Sequence, residues 1–220
     1  MKDLFNEQIN TFSASYKLLK AKKGEILRKP TAQVDSLLFL KSGFLRQFIV
    51  TKTGQEITVN IIDPQNPIYF SQFFAETKNR YFYQTFSPIE YYKIPLSEFS
   101  AFLEKNPEVF KILTKQYILK SDELFTSIEM ILSGDAYTKV VSVFYLIAER
   151  YGRETENGEV RVGLQLTHRE ISELIGLTRE TVSLQIIKLE KEGLIRRNGK
   201  NIVIPDMKKL AEISSITTAE

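Results

Sequence analysis

Residues 166–206 read LTHREISELIGLTRETVSLQIIKLEKEGLIRRNGKNIVIPD and are the most informative part of the chain. Thr167, followed three residues later by Glu170, forms a capping box that predicts the start of a helix. Gly176 ends this helix in a tight turn, and Thr178 is placed to cap a second helix. The dipeptide Asn198-Gly199 then predicts a β-hairpin. Helix, tight turn, helix and hairpin together predict a winged helix-turn-helix.

The second helix of this motif offers side chains that suit DNA. In a helix-turn-helix it enters the major groove, where arginine pairs with guanine and glutamate accepts from cytosine. We therefore expect base contacts from Arg179, Glu180, Ser183 and Gln185. We expect phosphate contacts, which position a protein without specifying sequence, from Thr167, His168, Arg169, Lys188, Arg197 and Lys200. A helical hairpin that only packs is the alternative interpretation of this pattern.

Composition narrows the function classes. The chain has 220 residues, of which 43 % are apolar, enough for one large or two small packed domains. It has no apolar run of about 20 residues, and acids interrupt its first residues, so we expect a cytoplasmic protein. It has no cysteine and a single histidine, His168, so disulfides, cysteine-ligated clusters and clustered-histidine metal sites are not expected. No carboxylate pair has catalytic spacing, and we do not expect an enzyme.

The net charge is a weaker guide. It is +3 for the whole chain, whereas residues 161–209 alone carry ten Lys/Arg against six acids, which is +4. This excess suits a DNA-facing module, although an ordinary solvated surface explains charge alone equally well.

Residues 16–95 read as β-strands. Leu37–Leu40 and Phe44–Val50 are rich in aromatic and branched residues, and turn signals such as Lys23-Gly24-Glu25 and Lys52-Thr53-Gly54 punctuate the segment. Many short strands with regular turns predict a sandwich or a barrel.

Helical patterns begin after Pro95, with Ser97 as a candidate cap. Asn106-Pro107 predicts the start of a longer helix that runs to about residues 133–134. A seven-residue spacing along it predicts a dimer interface, although Lys120 and Ser127 interrupt the seam and packing within the chain is the alternative. The seam consists of Phe110, Leu113, Tyr117, Leu124 and Ile131. Asp135 is placed to cap the next helix.

The segment from Thr167 to Asp206 closely resembles the DNA-binding domain of the CRP/FNR (cyclic-AMP receptor protein / fumarate-nitrate regulator) family. The stretches Leu177–Ser183, Leu189–Ile195 and Gly199–Ile204 carry the resemblance. Upstream, the stretches that are similar to turns of that family's β-roll sensor are Lys23–Glu25, Ser42–Arg46 and Thr53–Glu56.

This resemblance implies an α+β fold in three parts. They are a β-roll sensor like the cyclic-nucleotide-binding jelly roll (1–106), a dimerisation helix (107–134) and a winged helix-turn-helix (135–220). It implies a homodimeric transcription regulator that binds palindromic double-stranded DNA and could contact RNA polymerase. An architectural dimer that binds DNA without an effector, and whose β-roll is only structural, is the alternative.

Two places depart from the family pattern. Leu184 stands where the family commonly has an arginine that reads guanine, and leucine can only touch a thymine methyl, so we expect an altered half-site. In the segment 68–85, which matches the family's phosphate-binding cassette, Tyr69 and Phe70 replace the Gly-Glu pair, and Arg80 precedes Tyr81 rather than a small hydroxyl residue. We therefore expect neither a cyclic nucleotide nor, given the cysteine and histidine counts, an iron-sulfur cluster or haem; no cofactor is expected.

Aromatic residues occupy the place of the missing groups. Ten of the 24 residues from Tyr69 to Tyr92 are aromatic. They predict an apolar pocket for an aromatic or lipophilic effector, and its candidate lining is Tyr69, Phe70, Phe73, Arg80, Tyr81 and Tyr83. β-Roll core together with packing against the long helix is the alternative interpretation.

Overall fold

The computed structural model describes residues 2–64, 67–75, 77–198 and 201–214. The chain forms two compact units, residues 1–121 and 122–220, and each is described by itself. The three-part division at residues 106 and 134 stays a prediction. No helix in the described part of the chain has the length and apolar character to cross a membrane.

The first unit is built on two antiparallel sheets. Their strand orders are β1-β7-β3 and β2-β6-β4-β5. The elements in chain order are α1 (Lys2–Ala14), β1 (Leu18–Ala21), β2 (Ile26–Arg28), β3 (Ser36–Ser42), β4 (Leu45–Val50), β5 (Glu56–Ile62), α2 (Phe70–Ala75), β6 (Phe82–Thr85), β7 (Ile89–Pro95), α3 (Leu96–Lys105) and α4 (Pro107–Leu132). The predicted β-roll followed by a long helix is confirmed; α1 and α2 were not predicted.

The core of this unit lies between the sheets and the helices that follow them. Leu37, Ile94 and Phe99 are fully buried in it, and Val109 and Leu113 of α4 belong to the same core. α4 therefore begins as part of the β-roll, because two of its side chains complete the apolar interior.

The seam predicted on α4 is partly wrong. Leu113 is 1 % exposed and packs in the core of its own chain, so it offers no surface to a second copy. Phe110, Tyr117 and Leu124 are exposed, whereas the side chain of Ile131 lies outside the described residues. Further apolar side chains exposed along α4 are Ile118, Leu119, Phe125, Ile128 and Leu132.

Two predicted helix caps take other roles. Ser97 lies inside α3, whose N-cap position is Pro95, so the prediction for Ser97 is wrong. Asn106 precedes α4 as expected, but its side-chain amide donates to the carbonyl of Phe102 at 2.8 Å. Asn106 therefore stabilises the end of α3, where carbonyl groups lack helical partners.

The second unit packs helices around a small antiparallel sheet of order β10-β11-β9-β8. Its elements after the end of α4 are α5 (Ala136–Tyr151), β8 (Gly152–Glu154), β9 (Val160–Val162), α6 (His168–Ile175), α7 (Arg179–Lys191), β10 (Arg196–Asn198), β11 (Asn201–Ile204) and α8 (Met207–Ile213). Asp135 caps α5 as predicted, accepting from the Thr138 amide at 2.8 Å. The segment 153–159 starts within β8, which pairs with β9, and α8 was not predicted.

Candidate nucleic-acid interface

The angle between α6 and α7 is fixed by caps that the sequence predicts. The Thr167 hydroxyl accepts from the Glu170 amide at 3.2 Å, and the Glu170 carboxylate accepts from the Thr167 amide at 2.7 Å. Gly176 ends α6 at φ 68°, a left-handed conformation that favours glycine. Thr178 caps α7, accepting from the Thr181 amide at 3.1 Å. The predicted helix-turn-helix and both of its N-caps are confirmed.

Helix α7 buries one face and exposes the other. Val182, Ile186 and Leu189 are at most 2 % exposed and pack in the core of the second unit. On the other side, Leu184 is 66 % and Ile187 is 47 % exposed. These two residues follow the exposed Glu180 at spacings of four and seven and form a ridge, which we call the α7 ridge (Glu180, Leu184 and Ile187).

The predicted base-contacting residues occupy different positions around α7. Arg179 and Glu180 are exposed, whereas Ser183 and Gln185 are half-buried at the sides of the helix. The Ser183 hydroxyl already donates to the Arg179 carbonyl at 2.8 Å. Ile187 was missed, although its spacing from Glu180 was a signal in the sequence. The base contacts themselves stay predictions.

His168 links α6 to both α7 and the β10–β11 hairpin. Its Nδ1 lies 2.7 Å from the Ser183 hydroxyl oxygen, and its Nε2 lies 3.1 Å from Nη2 of Arg197. A guanidinium can only donate, so Nε2 accepts and the ring proton sits on Nδ1, which donates to Ser183. Both ring nitrogens of His168 are thus bonded within the unit, and its phosphate contact stays a prediction.

Its surroundings keep the His168 ring neutral. Partial burial lowers the pKa of His168 below its ordinary value of 6.5, and the neighbouring guanidinium groups of Arg197 and Arg179 lower it further. Glu190 opposes this effect more weakly. At pH 7 the neutral ring can therefore accept from Arg197, which a protonated ring could not.

Acidic partners hold several of the predicted phosphate-contacting cations. Nε of Arg169 lies 2.9 Å from a Glu173 carboxylate oxygen, and Nε of Arg197 donates to Glu190 at 2.7 Å. The ammonium group of Lys188 lies 4.0 Å from the centroid of the Tyr137 ring and 3.9 Å from Glu192. The Thr167 hydroxyl serves as a cap, and Lys200 lies outside the described residues. The phosphate contacts stay predictions, and at these positions a phosphate would compete with a carboxylate that is already in place.

A cavity of about 640 Å³ opens beside these groups. Apolar side chains such as Phe144, Ile171 and Ile186 line part of it, and Arg179 and Arg197 line it as well. α6, α7 and the hairpin thus bring several of the predicted DNA-contacting residues to one concave surface.

The predicted effector lining is only partly assembled in the first unit. Tyr69 and Tyr83 meet edge to face with ring centroids 4.6 Å apart, and Phe73 packs 5.9 Å from Phe99 in the core. Arg80 is exposed and its guanidinium lies 5.8 Å from the Tyr81 ring centroid, so its position does not support its place in the predicted lining.

The guanidinium that faces Tyr69 belongs to Arg28, which sequence reasoning missed. It lies 4.4 Å from the centroid of the Tyr69 ring. Nothing in the local sequence signals this contact, because the two residues are far apart in the chain.

Two further aromatic residues of the segment pack against α4. Phe70 lies 6.0 Å from Tyr117, and Phe74 lies 5.2 Å from Phe110, both measured between ring centroids. These residues therefore follow the alternative interpretation of the segment, which is core packing and contact with the long helix. Within the described ranges, no three acidic or histidine side chains are grouped as a metal site requires.

Comparison with known families supports this architecture. The family described as Crp-like helix-turn-helix domain matches residues 138–213, and the family described as cyclic nucleotide-binding domain matches residues 18–106. A global nitrogen regulator of a Nostoc species is 24 % identical over 177 residues, covering 80 % of this chain and 79 % of that protein. An anaerobic regulatory protein of Pasteurella multocida is 27 % identical over 199 residues, covering 89 % and 71 %.

Solved structures share the fold. A CRP/FNR-family transcriptional regulator of Thermus thermophilus superposes with a TM-score of 0.70 at 23 % identity, covering 90 % of this chain and 98 % of that one. The c-di-GMP responsive global regulator of Xanthomonas campestris superposes with a TM-score of 0.74 at 14 % identity, covering 91 % and 99 %.

A β-roll of the cyclic-nucleotide-binding type followed by a winged helix-turn-helix defines a DNA-binding transcription regulator rather than an enzyme. The chain belongs to the CRP/FNR family.

Proposed function

We propose that this regulator is a homodimer that reads a palindromic DNA site under the control of a small-molecule effector bound in the β-roll. The observation that carries the proposal is the α7 ridge, which is exposed on a helix capped and packed as a recognition helix. The protein would act in the cytoplasm, where chromosomal DNA lies, and contact with RNA polymerase would make it an activator.

The α7 ridge supports an unusual half-site. Arg179 and Glu180 can reach guanine and cytosine edges in the major groove, while Leu184 and Ile187 offer only apolar contact. Thymine presents a methyl group there, so the two apolar residues favour thymine at the positions that they meet. Ser183 and Gln185, at the sides of the helix, are the remaining candidates for base edges.

The exposed apolar side of α4 supports dimerisation. Phe110, Tyr117 and Leu124 remain from the predicted seam, and Phe125 is 63 % exposed beside them. Apolar side chains in this number on one helix are typical of an interface. A two-fold dimer would place two recognition helices about 34 Å apart, one turn of DNA.

Control by an effector other than a cyclic nucleotide is supported by the residues of the phosphate-binding cassette. Two similar proteins, a cAMP-activated regulator of Mycobacterium tuberculosis and the c-di-GMP responsive one, are named for cyclic nucleotides. In this chain the bulky Tyr69 and Phe70 stand where the family's phosphate cradle would need Gly and Glu, and their rings lie in the core. The contacts from Phe70 to Tyr117 and from Phe74 to Phe110 offer a route by which an occupied β-roll would move α4.

Selection of duplexes from a randomised pool by the full-length protein, at near-physiological salt, tests this function. We expect a palindrome with half-sites one turn apart. The variant Arg179→Ala should lose preference at one position of each half-site, whereas Arg153→Ala, in β8, is the matched control. Selected sites without two-fold symmetry would contradict the dimeric reader.

Affinity for the selected site is then measured with and without small organic acids. A change in affinity supports effector control. Constant affinity across the set would favour an architectural dimer whose β-roll is only structural, an alternative that the tight packing of Phe70 and Phe73 favours.

A further inference from the structure

We propose that Arg28 and Tyr69 form an oxyanion-binding subsite inside the β-roll, which takes the carboxylate or phosphate end of a small organic acid. This inference rests on the proposed effector control and names the chemistry of the effector. The subsite does not use the arginine expected from the phosphate-binding cassette, since Arg80 is exposed elsewhere in the unit.

The first observation is a buried, incompletely paired guanidinium. The Arg28 side chain is 10 % exposed, and its Nε is buried without a hydrogen-bond partner. Its Nη1 donates to the Gln33 carbonyl at 2.5 Å, while Nη2 lies 3.5 Å from a carboxylate oxygen of Asp35. The Asp35 side chain is 67 % exposed, so water screens this ion pair and it neutralises the buried charge poorly.

The second observation is a buried hydroxyl beside this guanidinium. Tyr69 is 3 % exposed, and its buried hydroxyl oxygen has no partner at good hydrogen-bond geometry. Burial raises the pKa of Tyr69 to about 12, and its interaction with the Arg28 guanidinium offsets only part of that effect. The Arg28 guanidinium lies over its ring. Buried polar groups are nearly always satisfied, so two unsatisfied groups on touching side chains call for one shared acceptor. Both groups can donate, which makes an oxyanion the fitting partner.

The third observation is backbone strain at Tyr69 and at Thr31, three residues after Arg28. Thr31 and Tyr69, at φ 64° and 73°, are the residues other than glycine with positive φ in the described part of the chain. Thr31 follows Arg28 in the exposed segment 29–35, whose Gln33 carbonyl binds the guanidinium. Strained residues of this kind cluster at ligand sites, where the surrounding structure holds the backbone in an unfavourable conformation.

The rings beside Tyr69 indicate what the acid carries. The Tyr83 ring meets Tyr69 edge to face, and the half-buried Tyr91 lies close enough to raise the pKa of Tyr69. A ligand that carries an oxyanion on a flat apolar group would therefore accept from Arg28 and Tyr69, while its apolar group contacts the tyrosine rings. This chemistry agrees with the aromatic effector expected from the sequence but moves its anchor from Arg80 to Arg28.

The test is calorimetric titration of the full-length protein with benzoate and with phenyl phosphate. Benzamide, which keeps the ring and loses the charge, is the matched ligand control, and Arg80→Met is the matched protein control. We expect Tyr69→Phe to weaken binding about fivefold through the loss of one hydrogen bond, and Arg28→Met about tenfold or more. Benzamide should bind at least about tenfold more weakly than benzoate, and Arg80→Met should change nothing.

The two acid probes separate the sources of the oxyanion, since preference for benzoate indicates a carboxylic acid and preference for phenyl phosphate indicates a phosphate ester. Absence of binding by both probes overturns the subsite, and so does equal weakening by Arg28→Met and Arg80→Met. If Arg28→Met fails to fold, Tyr69→Phe, which deletes a single oxygen, decides. DNA affinity measured on the same samples separates the two proposals: probe binding that never alters DNA affinity leaves the subsite standing and removes effector control.

Discussion

Replacement of His168 by alanine removes the link between α6, α7 and the hairpin, and its cost can be worked from the geometry. The Nδ1 bond to Ser183 is 2.7 Å and partly buried, and a bond of this kind contributes about 1 kcal/mol. The Nε2 bond to Arg197 is 3.1 Å, and the Arg197 side chain is 53 % exposed, so we assign it about 0.5 kcal/mol. We expect His168→Ala to lower the free energy of unfolding by about 1.5 kcal/mol, measured in urea.

A double-mutant cycle isolates the contact with the hairpin. His168→Ala and Arg197→Met should couple by about 0.5 kcal/mol. His168→Ala with Arg196→Met is the control cycle and should show no coupling, because the neighbouring Arg196 binds Glu159 instead. Equal coupling in both cycles would refute the assigned contact.

The same geometry fixes the response to pH. Since the pKa of His168 is lowered in the folded protein, the unfolded chain binds more protons below pH 6.5. The stability that the neutral ring contributes is complete above pH 6.5 and is lost as the pH falls through the folded pKa. His168 is the only histidine, so one imidazole NMR signal reports both its midpoint and its tautomer. A midpoint at or above 6.5 would contradict the lowered pKa of His168, and a proton on Nε2 would contradict its bond to Arg197.

Three further perturbations test the recognition helix, its turn and the dimer. Leu184→Arg should shift one half-site position toward guanine by about 1–3 kcal/mol in a repeated duplex selection, and an unchanged preference would contradict the exposed ridge. The Cβ added by Gly176→Ala meets no atom within 4 Å, so only the left-handed backbone at this position should lower the free energy of unfolding in urea, by about 1 kcal/mol. Ile186→Ala, in the core, should lower it more, by roughly 2–5 kcal/mol. Ile118→Glu combined with Phe125→Glu should give a monomer by sedimentation with unchanged helix content, and a stable dimer would place the interface elsewhere.

Local signals explain what could be predicted from the sequence. The caps at Thr167, Thr178 and Asp135 and the turn at Gly176 depend on residues within four positions of each other, and the structure contains all of them. Burial along α7 follows helical spacing for the same reason.

Longer-range competition explains what could not be predicted. The seven-residue spacing on α4 marks an apolar stripe, but it does not say which partner covers each residue, and the β-roll core takes Leu113. The contact of Arg28 with Tyr69 and the two bonds of His168 join residues that are distant in sequence. Such contacts depend on tertiary packing, which no local pattern encodes.

The carboxylates paired with Arg169, Lys188 and Arg197 act as counter-ions that are tethered to the protein. If these cations contact DNA phosphates as proposed, binding would exchange one anion for another at each cation, instead of adding a phosphate to a bare charge. The competing carboxylates lower the free energy gained at each phosphate contact, on random DNA and on an operator alike. An operator adds base contacts that the carboxylates cannot imitate. These ion pairs would therefore leave base contacts as a larger share of the total free energy of binding, without touching a single base.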